Sequence, residues 1–218
     1  MENIFKLFLK ITVQVTGAII IFWIALSLYA VVNRDRYIAK KVVPTQSQYD
    51  VVAFGDSLVE GLGASNLNGF VTLLEQDLGI AILNSGHRGD EAEDLLKRID
   101  RDVFAFNPKV VILIIGGNDA IHLVPEDEFL NNMDKLFKQL TDRGIRVIYG
   151  EVTDNVFFPK RNQKLHLIAD YYGVTYIPEL TKNVFWTFTK KSDLLHPNDA
   201  GYQIMKERIK PHLLNFLK

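Results

Sequence analysis

Hydrophobic and polar positions along the chain fall into three regimes. Ile11 to Val32 is a run of 22 residues without a charged side chain, ITVQVTGAIIIFWIALSLYAVV. As a helix it would extend about 33 Å at roughly 1.5 Å per residue, enough for the apolar core of a bilayer. Trp23 and Tyr29 suit interfacial positions. The run is long for a secretory leader, and the small-residue exits Ala25-Leu26-Ser27 and Leu28-Tyr29-Ala30 are weak cleavage signals. Residues 1–32 therefore read as an uncleaved membrane anchor. Lys6 and Lys10 before it are matched by Arg34, Arg36, Lys40 and Lys41 after it, so flanking charge assigns no orientation. Residues 33–48, with Pro44 and Thr45-Gln46-Ser47-Gln48, read as a polar linker.

From about Tyr49 the pattern alternates between short apolar runs and stretches of helical period. Strands are predicted over Val51–Phe54, Ile80–Leu83, Val110–Ile115, Ile145–Tyr149 and Val174–Ile177. Between them, helices are predicted over Gly69–Leu78, Glu91–Phe106, Glu126–Arg143 and about Gln163–Tyr172, with a last helix from about Asp199. Phe129, Met133, Leu136, Phe137 and Leu140 make one face of the third helix, and Gly144 ends it. The unbroken apolar run Val110–Ile115 marks a central parallel strand covered on both faces. Such alternation predicts an α/β domain over residues 49–218, with a five-stranded parallel sheet, right-handed crossovers and helices on both sides.

Composition changes this picture by exclusion. Lys and Arg number 25 against 26 Asp and Glu, a formal net charge of -1, which argues against a nucleic-acid partner bound by phosphate neutralisation. The absence of cysteine removes disulfides, thiolate metal sites and cysteine nucleophiles together. No His/Asp/Glu spacing suggests a metal, and no cofactor is expected. Gly61-Leu62-Gly63 lacks the third glycine and the helix start of a dinucleotide fingerprint. Val59 stands where a Gly-x-Ser-x-Gly elbow needs its second glycine.

The chemistry-bearing residues fall at strand ends and in the last loop: Gly55-Asp56-Ser57-Leu58, Asn84-Ser85-Gly86-His87-Arg88-Gly89-Asp90, Gly116-Gly117-Asn118-Asp119 and Asp193-Leu194-Leu195-His196. Ligands in open parallel sheets sit beyond the carboxyl ends of the strands, where Ser57 lands. A hydrolytic serine needs a base, for which His196 is the candidate, and the base needs an acceptor on its other nitrogen, for which Asp193 is the candidate. A tetrahedral oxyanion needs donors, available from Ser57 N–H, a glycine N–H after the second strand and the Asn118 amide. Singly, each block has an ordinary reading: Gly-Asp-Ser as a turn, Gly-Gly-Asn-Asp as a loop, Asn198 as a helix cap. His87 and His122 lie near these blocks as candidates for the mouth of a site, whereas His166 and His212 fall on predicted helices as surface or packed residues.

All four blocks, in order, resemble those of the SGNH (GDSL) hydrolases, and the resemblance covers about residues 49 to 218. The branch it most resembles is the bacterial thioesterase/lysophospholipase/arylesterase group, in Gly-Asp-Ser-Leu, in Asn84 to Gly89-Asp90 and in His196-Pro197-Asn198-Asp199-Ala200-Gly201. The resemblance implies a flavodoxin-like three-layer α/β/α fold and a serine esterase acting on acyl esters, lysophospholipids or acyl thioesters. By position it makes Ser57 the nucleophile, Asp193 and His196 its orienting and basic partners, and Ser57, Gly89 and Asn118 the oxyanion donors. His87-Arg88 stands where that branch usually has a small or apolar residue and a serine, which leaves Gly86 as the alternative to Gly89. Asp119, Phe157, Phe158 and Trp186 are candidate substrate contacts; Phe185 and Phe188 sit in the same flanking loops, and ordinary packing competes with an acyl slot. The resemblance also places the domain outside the cytoplasmic membrane. Two alternatives stand beside this reading: removal or transfer of O-acetyl groups on cell-envelope glycans, and a catalytically idle binding module.

Overall fold

The computed structural model describes residues 49–152 and 159–217; the expected anchor over 1–32, the linker over 33–48, and Phe157 and Phe158 lie outside the described residues. Among the described residues no helix is long and apolar enough to cross a membrane. In chain order the elements are β1 (Val51–Gly55), α1 (Ser57–Glu60), α2 (Phe70–Leu78), β2 (Ile82–Gly86), α3 (Ala92–Asp102), β3 (Val110–Ile114), α4 (Gly117–Ile121), α5 (Glu126–Thr141), β4 (Arg146–Gly150), α6 (Pro159–Tyr171), β5 (Thr175–Ile177) and α7 (Asp199–Leu217). The five strands are all parallel and lie in the order β2-β1-β3-β4-β5. The strand order reverses between β1 and β3, which opens a crevice beyond their carboxyl ends.

The strands are apolar throughout because alternate side chains enter two different cores. Val52, Phe54, Val111, Leu113, Val147 and Tyr149 face one side, where Leu95 and Ile99 of α3, Phe129, Met133 and Phe137 of α5, and Leu165 of α6 cover them. Val51, Ala53, Val110, Ile112, Ile114 and Ile148 face the other, under Leu58 and Val59 of α1, Phe70 and Leu74 of α2, and Tyr202, Met205 and Ile209 of α7. Two helical layers on one sheet make the three-layer α/β/α arrangement.

Several elements differ from the sequence expectation for local reasons. The second strand runs from Ile82 to Gly86 rather than from Ile80 to Leu83. Its polar end is tolerated because Asn84 donates to the Val59 carbonyl (2.8 Å) and accepts from Gly86 N–H (3.0 Å), while Ser85 Oγ donates to the Asp102 carbonyl (3.0 Å). The expected helix over Glu91–Phe106 stops at Asp102, since Val103 leaves helical geometry (φ -129, ψ -62) to bury its side chain, and Phe104–Phe106 forms a separate 3-10 turn. α6 starts at Pro159, a residue whose fixed φ and missing N–H suit a first helical position. α1 and α4, four and five residues long, are too short to show a helical period.

Register aligns what matters. Gly55 is paired with both Gly86 and Ile114, so β1, β2 and β3 end at one level and their following loops emerge side by side. This level depends on a missing side chain, because a Cβ on Gly55 would lie 1.9 Å from the Ile114 carbonyl oxygen. Gly144, by contrast, has a left-handed φ of +73 but open space around it. Gly55→Ala should therefore cost more than about 3 kcal/mol through overpacking, and Gly144→Ala about 1–2 kcal/mol through backbone strain alone. Urea-unfolding midpoints compare the two; equal costs would contradict the close approach of β1 and β3.

Candidate active site

Asp56 follows β1 and caps α1, its buried Oδ1 accepting from Leu58 N–H at 2.9 Å. Ser57 is thus the first residue of a helix rather than part of a loose turn, and only 8 % of its surface is exposed. α1 lies directly against the end of β2: a Cβ on Gly86 would sit 2.1 Å from Glu60 N.

His196 arrives from the other end of the chain, in the long connection between β5 and α7. Its Nε2 lies 3.2 Å from Ser57 Oγ, and its Nδ1 lies 2.8 Å from Asp193 Oδ2 and 3.0 Å from Oδ1. A carboxylate on the Nδ1 side selects the tautomer with Nδ1–H, which leaves Nε2 free to accept from the serine hydroxyl. Asp193 Oδ1 also accepts from the N–H groups of Leu195 (2.7 Å) and His196 (2.8 Å). Burial pushes the Asp193 carboxyl up, but the hydrogen bond and charge of His196, with these two N–H groups, outweigh it and hold the carboxyl at about 2. Such an arrangement can draw a proton from the hydroxyl and stabilise the imidazolium that results.

The His196 segment is pinned by its own neighbours. Ser192 N–H donates to the His196 carbonyl, Lys191 bridges to Pro197, and Asn198 donates to the carbonyls of Thr189 and Lys191. Asn198 also caps α7, accepting from Gly201 N–H at 3.1 Å, so its structural and positional readings hold together. On the opposite side, Tyr202 donates to the Leu62 carbonyl (2.7 Å) and Asp199 accepts from Ser65. Gly63 has a left-handed φ of +95, and a Cβ there would meet Pro197 O at 2.4 Å and His196 Cβ at 2.9 Å. The Gly61-Leu62-Gly63 stretch thus lets this loop seat the histidine segment.

Beside Ser57 N–H, the three further oxyanion candidates differ in availability. Asn118 lies in α4 and donates from Nδ2 to the Asp90 carbonyl at 2.8 Å, which orients the amide and leaves its second hydrogen for another acceptor. Gly86 N–H is already bonded to Asn84 Oδ1. Gly89 lies in an exposed turn with a left-handed φ of +82, and nothing lies within 4 Å of where its Cβ would be. Arg88, unexpected at its position, folds onto Glu60: Nη2 donates to Oε1 (2.7 Å), and Nε and the backbone N–H donate to Oε2 (3.1 Å each).

Other candidates lie elsewhere. Asp119 is 1 % exposed and accepts from Ala92 N–H at the start of α3, so this expected substrate contact is a buried helix anchor instead; its carboxylate is spent inside the fold. Trp186 is 68 % exposed, on the same connection as His196. His87 is exposed, and His122 Nδ1 pairs with Glu91 at 2.6 Å. His166 stacks on Tyr176 at 4.5 Å between ring centres, away from Ser57 in the α6–β5 region. Sequence reasoning missed Arg98. It falls on the buried stripe of α3 beside Leu95 and Ile99, and an arginine on an apolar helical face is the signal that could have found it.

The model of the GDSL-like Lipase/Acylhydrolase family matches residues 53–204. An arylesterase of Vibrio mimicus is 21% identical over 187 residues, covering 79% of this chain and 92% of that protein. An acetylxylan esterase of Geobacillus stearothermophilus is 24% identical over 178 residues, covering 69% and 81%. Among solved structures, TesA has a similar fold, with a TM-score of 0.69 at 20% sequence identity over 78% of this chain and 99% of that one.

Beneath the site, burial pushes the Asp56 carboxyl from an ordinary 3.8 up to about 7, against the opposing effects of Leu58 N–H and His196. Burial likewise raises Asp119 to about 6, against the Ala92 N–H bond. The unfolded chain ionises these groups near 3.8 while the folded one keeps its protons, so their contribution falls as pH rises from about 4 to 7 for Asp56 and to 6 for Asp119. Each can give a slope of up to about 1.4 kcal/mol per pH unit. Asp56→Asn keeps an acceptor for Leu58 N–H and should flatten the decline of Tm between pH 4 and pH 7, leaving the share of Asp119. An unchanged decline in thermal scans would count against a protonated, buried Asp56.

Proposed function

The chain belongs to the GDSL-like Lipase/Acylhydrolase family and is an ester-hydrolysing enzyme, and from that premise we propose that Ser57, His196 and Asp193 are its catalytic triad. The observation that carries this reading is the continuous contact from Ser57 Oγ to His196 Nε2 (3.2 Å) and from Nδ1 to the Asp193 carboxylate (2.8 Å). Ser57 Oγ attacks the acyl carbon while His196 takes its proton. The oxyanion is held by the N–H groups of Ser57 and Gly89 and by the second amide hydrogen of Asn118. His196 then protonates the leaving oxygen or sulfur, and the acyl-serine forms. Water, deprotonated by His196, releases the acid. Asp193, held at about 2, stays ionised throughout the working range.

The substrates in this reading are carboxylic esters or thioesters with an acyl chain, including lysophospholipids and acyl thioesters. The acetylxylan esterase relative favours a second reading, hydrolysis or transfer of O-acetyl groups on cell-envelope glycans. In either case residues 1–32 anchor the domain to a membrane, on its extracytoplasmic side.

A series of p-nitrophenyl esters from acetyl to palmitoyl tests the reaction and divides the two readings. Ser57→Ala and His196→Ala should each lower kcat by about 10⁴-fold or more without loss of the folding transition; near-normal turnover in both would refute the triad. A kcat/KM that rises with chain length supports the acyl-chain reading, and activity confined to acetyl supports the glycan reading. No Ser57-dependent hydrolysis at any length, with no labelling by a fluorophosphonate, would leave the idle binding module. For the tether, the full chain should stay with membranes after an alkaline carbonate wash, whereas release into the supernatant would remove the anchor.

A further inference from the structure

The Gly89 turn poses a physical problem. An oxyanion donor must be held in place before the reaction, because a donor that has to reorganise loses much of its effect. Gly89 has no side chain, is exposed, and has no packing neighbour where its Cβ would be. The backbone bonds closing the turn are His87 N–H to Gly55 O (2.9 Å) and Asp90 N–H to His87 O (3.3 Å), both beside Gly89 rather than on it. Whatever fixes Gly89 must therefore act through its neighbours.

Both neighbours are charged: one is tied to α1, which carries Ser57, and the other, through Arg98, to the end of β1 just before it. On one side, Arg88 meets Glu60, the last residue of α1, with two side-chain bonds and its own backbone N–H. On the other, Asp90 Oδ2 accepts from Arg98 Nε at 2.6 Å. Arg98 is 8 % exposed, and its guanidinium spreads over three further partners: Nη2 donates to the Gly55 carbonyl (2.9 Å), and Nη1 to the Ser85 carbonyl (3.0 Å) and Asp102 Oδ2 (2.8 Å). The Phe54 ring lies under it, 4.5 Å from centroid to Cζ. Arg98 thus links Asp90 to the last residue of β1, two positions before the serine. The Asp90 carbonyl is also the acceptor that orients the Asn118 amide.

We infer that Arg98 and the Glu60–Arg88 pair are positioning residues: they hold the Gly89 turn from both sides, and through Asp90 the Asn118 amide, at a fixed distance from Ser57. This rests on the oxyanion roles proposed above. A planar guanidinium with several donors suits the task, whereas an ammonium could satisfy one or two of the four acceptors at once. If the pairs only stabilised the fold, their loss would lower the fraction of folded enzyme and leave turnover per folded molecule unchanged.

The test uses the full chain and an ester that the wild type hydrolyses in a Ser57-dependent way. Arg98→Lys should lower kcat about 100-fold with KM within about twofold, since a donor displaced by about 1 Å is enough for such a loss. Glu60→Gln and Arg88→Gln, at less buried positions, should each lower kcat about 10-fold. The double variant should fall little below the singles, because the two act through one pair. Affinity for a boronic acid, which adds to Ser57 as a tetrahedral anion, should drop in step with kcat in every variant. Lys97→Gln, on α3 but directed to solvent, should leave both quantities unchanged. Folded variants of Glu60 or Arg88 with wild-type kcat and boronate affinity would overturn the inference, as would losses that only follow the folded fraction. A wild type without Ser57-dependent hydrolysis would instead refute the catalytic reading itself.

Discussion

The contact between Ser57 Oγ and His196 Nε2 joins residues 139 positions apart in sequence, and most of the domain is arranged to keep it at 3.2 Å. One partner is set by the sheet, through a strand end with no room for a side chain at Gly55 and a short helix capped by Asp56. The other is set by a loop braced on α7 and on residues 61–65. Two hydrophobic cores, one on each side of the sheet, fix the strands to which these pieces attach. A hydrogen bond of this kind contributes little net free energy to folding. Its geometry is a product of packing elsewhere, which is why glycines at close approaches weigh as heavily here as the polar groups themselves.

The site is rich in buried charge, and the charges have different duties. Asp193 is held ionised by its own turn. Asp56 and Asp119, buried with fewer donors, are pushed toward the neutral form and serve helix starts. Arg98 stands between the strand ends and Asp90, and Arg88 between the same loop and α1. Buried charge is tolerated only with partners. Here the partners are N–H groups for the aspartates, the carboxylates of Glu60, Asp90 and Asp102 for the two arginines and, for Arg98, the carbonyls of Gly55 and Ser85 at strand ends.

Much of this was legible in the chain. Val110 to Ile115 announced a strand buried on both faces, and the alternation of strands and helices announced the parallel sheet, because hydrophobic period reports directly on which faces are covered. The blocks around Ser57 and Asn118 were legible as residue types at strand ends, and the block around His196 as one in the last loop. The second strand starts two residues later than expected and ends three later, and its end was missed because Asn84 and Ser85 look like loop residues until their hydrogen bonds to α1 and α3 are known. Asp119 was expected as a substrate contact, whereas a helix turns successive side chains about 100° apart and sends this one inward. The roles of Arg88 and Arg98 depend on partners 28 and 43 positions away, which no local pattern encodes.

The turn that carries Asp193 and His196 is nearly self-sufficient. Asp193 binds the histidine ring and the N–H groups of Leu195 and His196, all within three residues of itself. The orientation of the imidazole is therefore written into a tetrapeptide, with no help from the sheet. Such a unit is portable: the upstream part of the connection, including Trp186 and Phe188, can lengthen, shorten or change character while the hydrogen-bonded Asp193–His196 pair is carried along intact. One scaffold can thus face quite different esters without rebuilding the Asp193–His196 turn.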